Sequence, residues 1–389
     1  MKKRTLATCC TVHAIHDGLQ DVSYVLLPLL AQSFGLSLAQ VGVIRGAHRA
    51  AMAACQIPAG LLAERFGERN LLALGTLIVG LAFLALGFAA GFWAILAALF
   101  FAGLGSSVQH PLSSTLLSRA YADEGRRAAL GTYNFAGDVG KFGFGAIVSL
   151  LMLAGISWQA PVLGYGIVAV LAAGATIALI AGAGPARPLA AAKGGRAAGW
   201  GIKDRQGFGL LCLIEILDSS TRAAFLTFIA FLLIAGGLPE GWAASAVPLV
   251  FVGGMAGKLA CGLLAERLGV VRMIVLTEVA TACGILAVVA VPAVAAFLLL
   301  PLLGIVLQGT SSVLYATVGE FVEAERLPRT FGLFYTIGSV CGIAAPLGFG
   351  LLGDRFGVGT AIATMGILIL LTVPLALLLK PRYAAAPQG

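Results

Sequence analysis

Residues 70–118 contain no Asp, Glu, Lys or Arg, and neither do residues 142–186 or 279–319. A membrane-spanning helix needs about 20 mostly apolar residues, so each run is long enough for two crossings joined by a tight turn. The turns are present as Ala90-Gly91-Phe92, Gly155-Ile156-Ser157-Trp158 and the neighbourhood of Pro292. Runs of this length cannot cover a domain that faces water. The whole chain agrees, being 59% hydrophobic and 11% charged over 389 residues, where soluble domains carry about 25% charged residues. The same apolar fraction excludes disorder.

Twelve helical spans are expected, at roughly 8–33, 39–63, 70–90, 93–118, 128–153, 159–183, 207–235, 241–265, 272–291, 293–319, 329–351 and 358–379. Nineteen Lys and Arg residues then fall at the ends or loops of one side, against Arg355 alone on the other. By the positive-inside rule both termini are cytoplasmic. The net charge of +8 is explained by those loops, and nucleic acid is not an expected partner. Met1-Lys2-Lys3-Arg4 resembles the start of a signal peptide, but His13, His16, Asp17 and Asp21 interrupt the apolar stretch. The segment reads as a retained first helix of a multi-pass protein in a bacterial inner membrane. Seven scattered cysteines (Cys9, Cys10, Cys55, Cys212, Cys261, Cys283 and Cys341) show no metal or disulfide spacing and read as small buried apolar residues.

Gly60-Leu-Leu-Ala-Glu64-Arg65-Phe66-Gly67 recurs as Gly262-Leu-Leu-Ala-Glu266-Arg267-Leu268-Gly269. A weaker echo pairs Gly131-Thr-Tyr133-Asn134-Phe-Ala-Gly137 with Gly332-Leu-Phe334-Tyr335-Thr-Ile-Gly338. The chain is therefore expected to be all-α, with two pseudo-symmetric six-helix bundles, residues 1–183 and 207–389, joined by a solvated cytoplasmic linker at 184–206. The duplicated Gly-x-x-x-acid-Arg-x-Gly loop resembles the signature loop of the major facilitator superfamily, which implies that Glu64, Arg65, Glu266 and Arg267 act in cytoplasmic gating. The run Gly103-Leu-Gly105-Ser106-Ser107-Val108-Gln109-His110-Pro111-Leu-Ser113-Ser114, with His13, Asp17 and Gln20 before Leu27-Pro28-Leu29, is similar to the fosmidomycin-resistance group of exporters. That resemblance implies export.

Ionisable groups in lipid cost about 2.5–3.5 kcal/mol each on insertion scales, so they face partners or wet cavities. Helical spacing puts His13, Asp17, Gln20, Asp21 and Tyr24 on one stripe of the first span. Arg45, His48, Arg49, Met52 and Gln56 form another on the second span, and Asn134, Asp138 and Lys141 a third on the fifth. Asp21 and Arg49 are expected at similar depths. In the other half, Glu215, Asp218 and Arg222 lie in the seventh span and Lys258 in the eighth.

Arg45 and Arg49 read as an anion clamp, since guanidinium forks match carboxylate and phosphate oxygens. The alternative is that they neutralise Asp17 and Asp21. Gln20, Tyr24, His48, Gln109, His110, Asn134, Lys141, Arg222 and Gln308 complete the candidate substrate contacts. Asp17, Asp21, Asp138, Glu215 and Asp218 are the candidate proton carriers, with structural ion pairing as the alternative for each. His13-x-x-His16-Asp17 alone makes no metal cluster while His48 and His110 stand apart, and Gln109 and His110 could equally repair the backbone break at Pro111. Without a nucleophile elbow or phosphate loop, enzymatic chemistry and a cofactor are not expected. The expected function is a monomeric, proton-coupled carrier exporting an organic anion or amphipathic compound, with uptake of an anionic nutrient as the runner-up.

Overall fold

The computed structural model describes residues 2–121, 126–180, 201–323 and 327–385, all in helices and short connections. The helices are α1 Lys2–Phe34, α2 Leu38–Phe66, α3 Glu68–Gly87, α4 Phe92–Ser106, α5 Gln109–Ala120, α6 Arg126–Leu153, α7 Gln159–Leu179 and α8 Arg205–Ala235. They continue as α9 Glu240–Ala243, α10 Ala246–Leu268, α11 Val270–Ala290, α12 Ala293–Thr317, α13 Leu327–Phe356, α14 Val358–Leu368 and α15 Thr372–Ala385. Among the described residues, ten helical stretches are long and apolar enough to cross a membrane. α1 and α2 fall outside that group although they run for 33 and 29 residues. The reason is chemical, because these two helices carry most of the ionisable stripe residues.

Two compact units are present. In the first, α1 lies along α6 and α3 along α7. In the second, α8 lies along α13, α10 along α12 and α11 along α14. The first turn of α2, residues 37–42, packs with the second unit. There the Asp354 carboxylate accepts the Leu38 and Ala39 backbone N–H groups at 2.7 and 2.9 Å, satisfying donors that a helix start leaves open.

The duplicated motif takes one shape twice. Gly67 ends α2 at φ 80° and Gly269 ends α10 at φ 86°, a left-handed backbone that only glycine adopts at little cost. Arg65 and Arg267 sit exposed in the preceding last turns. The side chains of Glu64 and Glu266 lie outside what the structure describes.

Three expected single spans are broken, the twelfth where a 3-10 turn, Ile369–Leu371, separates α14 from α15. The fourth divides between α4 and α5 at Ser107-Val108, with Pro111 in the first turn of α5, where a missing N–H leaves no hydrogen bond unmade. The eighth starts as the short α9 before α10. The linker also differs from the expected solvated stretch. Its residues 184–200 lie outside the described residues, whereas Ile202 forms an antiparallel bridge with Val322. Lys203 N–H donates to Phe321 O there, and Glu323 N–H to Gly201 O, each at 2.9 Å. Cys283 is exposed rather than buried.

Candidate functional site

The polar residues of the first unit separate into two groups, and the single stripe expected on α1 is divided between different neighbours. His13 and Asp17 face α5 and α6. His13 stacks on the Tyr133 ring at 3.9 Å, and its Nδ1 donates to Tyr133 O at 2.7 Å. Its Nε2 then points at the Asp17 carboxylate, 3.2 Å away. The approach depends on Gly137, where a Cβ would come 2.6 Å from the His13 ring and 2.8 Å from an Asp17 oxygen. Close helix contact through small residues is the usual packing device in membranes.

Asp17 gathers three positive or potentially positive groups. Besides His13, the Lys141 ammonium lies at 3.1 Å and His110 Nε2 at 3.5 Å. Lys141 is shared, because it also reaches Asp138 at 3.6 Å. Asp17 is buried, with its side chain 5% exposed, whereas His110 and Lys141 are 42% and 27% exposed. The group therefore has a dry acid at its base and two partly exposed donors beside it. His110 does not stand apart, as expected from spacing; it meets His13 edge-on at 5.1 Å. The break between α4 and α5 places it there. Arg49 is half-buried, its charge reaches His110, and among the described residues it has no ion-pair partner.

His13, Asp17 and His110 each offer one ligand atom within 4.8 Å of the others. That separation suits a metal ion. The Lys141 ammonium already serves as the carboxylate's positive partner, so a metal would have to displace it.

The second group corrects the expected anion clamp. Arg45 is 1% exposed. Its guanidinium donates to Ser23 Oγ at 2.6 Å and Gln20 O at 3.2 Å, reaches Asp21 at 3.6 Å and covers the Tyr24 ring at 3.7 Å. Asp21 is thus paired with Arg45 and not with Arg49, and Tyr24 is buried beneath the pair. His48 is turned away as well, donating to Leu99 O of α4 at 2.8 Å. His16 donates to Thr76 of α3 at 2.9 Å. These side chains knit helices together and leave little for a ligand. Asn134 is exposed on α6, and Gln109 lies buried, 3.4 Å from the Tyr133 hydroxyl.

Removing one partner of the Arg45–Asp21 pair leaves a buried charge uncompensated, which costs about 3–5 kcal/mol. Arg45→Met should therefore lower the thermal midpoint in detergent sharply, and adding Asp21→Asn should recover most of the loss. If Arg45→Met is as stable as wild type but loses anion affinity, the clamp reading returns.

In the second unit, Arg222 reaches Asp218 at 2.9 Å and donates to Ser219 Oγ at 3.0 Å. Ser219 in turn donates to Glu215 at 2.6 Å. Glu215 and Asp218 are buried, as is Gln308. Glu278 of α11 joins them, fully buried. The sequence analysis did not single it out, although its charge at the head of the uncharged run 279–319 was a usable signal.

A family description reading Major Facilitator Superfamily matches residues 9–240. The chain is 30% identical over 166 residues to the 4-hydroxybenzoate transporter PcaK of Pseudomonas putida, covering 42% of this chain and 37% of that protein. It is 30% identical over 141 residues to the uncharacterized MFS-type transporter YfnC of Bacillus subtilis, covering 36% and 34%. These two matches thus span little more than a third of either relative. Over nearly its full length the chain is 26% identical to the gallate transporter of Pseudomonas putida, covering 97% of this chain and 89% of the relative. Among solved structures, a bacterial homolog of the human lysosomal transporter Spinster superposes with a TM-score of 0.78 at 17% identity, covering 98% and 95%. The nucleoside transporter NupG superposes with a TM-score of 0.77 at 12% identity, covering 99% of each chain. With more than half of its length matched, this chain belongs to the Major Facilitator Superfamily.

Proposed function

We propose that the protein is a proton-coupled carrier of a small organic anion, with an aromatic carboxylate as the substrate class. The observation that carries this reading is Lys141, part-exposed and shared between Asp17 and Asp138 at 3.1 and 3.6 Å. An incoming carboxylate competes for that ammonium. Once Lys141 turns to the substrate, Asp17 is a buried acid with its strongest positive neighbour engaged elsewhere, and it binds a proton more readily. Anion and proton then enter together, which makes the carrier a symporter and favours uptake over export. Arg49 and His110 supply the remaining positive capacity. The names of the PcaK and gallate relatives support the substrate class. The likeness of the Gly103–Ser114 run to the fosmidomycin-resistance group supports the opposite direction, and the sign of the coupling decides between them.

In this reading twelve helices span a bacterial inner membrane, the two termini are cytoplasmic, the carrier is monomeric, and two bundles expose the site alternately. The direct test is uptake of labelled 4-hydroxybenzoate into liposomes under an imposed pH gradient. Acidification on the substrate side should drive accumulation; accumulation driven instead by alkalinisation of the substrate side would establish antiport. Arg65 and Arg267, exposed at equivalent helix ends, act in this scheme on the equilibrium between the two access states. Arg65→Ala should cut transport severalfold while the equilibrium dissociation constant stays within a few-fold. A large loss of affinity with unchanged inward and outward populations would assign Arg65 to binding.

A further inference from the structure

The C-terminal unit buries three carboxyl groups, Glu215, Asp218 and Glu278, around one guanidinium. Arg222 pairs with Asp218 at 2.9 Å. Glu215 keeps one hydrogen bond, from Ser219, while both oxygens of Glu278 lack any hydrogen-bond partner. Each buried carboxylate without compensation costs several kcal/mol, and neutralisation by a proton is the ordinary escape.

The internal repeat places Glu278 independently. Gly137 abuts His13 and Asp17, and its counterpart Gly338 abuts Glu215 and Ser219. The contacted residues are offset by 202 positions, as are Gly67 and Gly269. The same offset carries His16 onto Asp218 and Thr76 onto Glu278. His16 and Thr76 are hydrogen-bonded at 2.9 Å. The second unit thus has two acids where the first has a neutral pair.

We propose that Glu278 is a second, exchangeable proton-binding site, set against Asp218 and Arg222, through which the C-terminal unit contributes to coupling. The proposal rests on the proton-coupled reading above. Asp218, Glu215 and Arg222 on α8, with Tyr315 on α12, are the titratable and charged groups of this cluster; Thr277 on its own helix is occupied with Met273 O and Ile274 O. A sodium ion is a poorer occupant, since hard cations need several oxygen ligands. Beyond the three carboxyls, Thr281 Oγ1 is the one further unpartnered hydroxyl oxygen on this helix among the described residues.

Infrared spectra of the purified protein at neutral pH test the protonation, with Glu278→Gln as the comparison. The carboxylic-acid C=O band should lose the intensity of one group in the variant. Glutamine resembles the neutral acid, so the variant should fold with an unchanged thermal midpoint. In liposomes its accumulation ratio under a pH gradient should fall at least tenfold, while counterflow without a gradient persists. An unaltered carboxylic band would show that Glu278 is ionised and overturn the proposal. A lost band with full gradient-driven accumulation would make the proton structural and overturn it equally. Sodium-dependent accumulation that vanishes in Glu278→Gln would also overturn it, in favour of a cation site. If the wild type itself shows no gradient-driven transport, the coupled reading fails, and the band alone still reports on Glu278.

Discussion

Asp17→Asn should abolish substrate accumulation driven by a pH gradient, while counterflow between equal pH values survives. Asparagine matches the neutral carboxyl in size, so the packing of His13 and Gly137 around it is kept. The substitution removes the buried charge that Lys141 meets at 3.1 Å and leaves the ammonium to Asp138 and to substrate. Under the proposed linkage of anion binding to proton uptake, the wild-type dissociation constant should rise with pH. In Asp17→Asn that rise should flatten. Gradient-driven accumulation equal to wild type in the variant would move the coupling proton to Asp138 or to the acids of α8 and α11. Asp21 is the weaker candidate because its partner Arg45 is buried and fixed.

Lys141→Gln should weaken binding of aromatic carboxylates by about 10- to 100-fold. A hydrogen bond to a charged group contributes about 1.5–3 kcal/mol, and each 1.4 kcal/mol is a factor of ten. Neutral analogues should lose much less, which separates charge recognition from damage to the fold. Arg49→Gln should act in the same direction with a smaller effect, since Arg49 lies on the neighbouring face. Isothermal titration in detergent reads both ligand classes. Equal losses for acids and for their neutral amides would show that Lys141 holds the helices and not the ligand.

The all-helical architecture was legible because length and hydropathy act over tens of residues. The helical starts and stops fell close to the expected spans, and glycines at 67 and 269 marked real helix ends. The assignment of individual polar residues was harder. Spacing on one helix reveals which side chains share a face, but not which neighbour receives them. Arg45 and Arg49 are one turn apart on α2, yet one is sealed against Ser23, Asp21 and Tyr24 while the other stays partly open. His110 was obscured for another reason: its partners His13 and Asp17 lie on α1, and the wheel of one helix does not show which residues of another it meets. Glu278 was missed because a lone acid on α11 gives no polar stripe.

The contact between α1 and α6 has a mechanical consequence. Gly137 and Gly140 bring the backbone of α6 against α1, and a Cβ at Gly140 would lie 2.7 Å from Ala14 Cα. Gly18 meets the Phe144 ring from the other side, where its Cβ would approach within 2.5 Å. Helices interlocked at three levels cannot slide past one another without a clash. Asp17 on α1 and Lys141 on α6 therefore travel as cargo on a single plank, and opening the site to either side does not stretch the distance between them. What changes between the two orientations is the water that reaches the pair. In the proposed coupling scheme the proton leaves when water reaches the acid, in the manner of a lock chamber whose gates move while its floor does not.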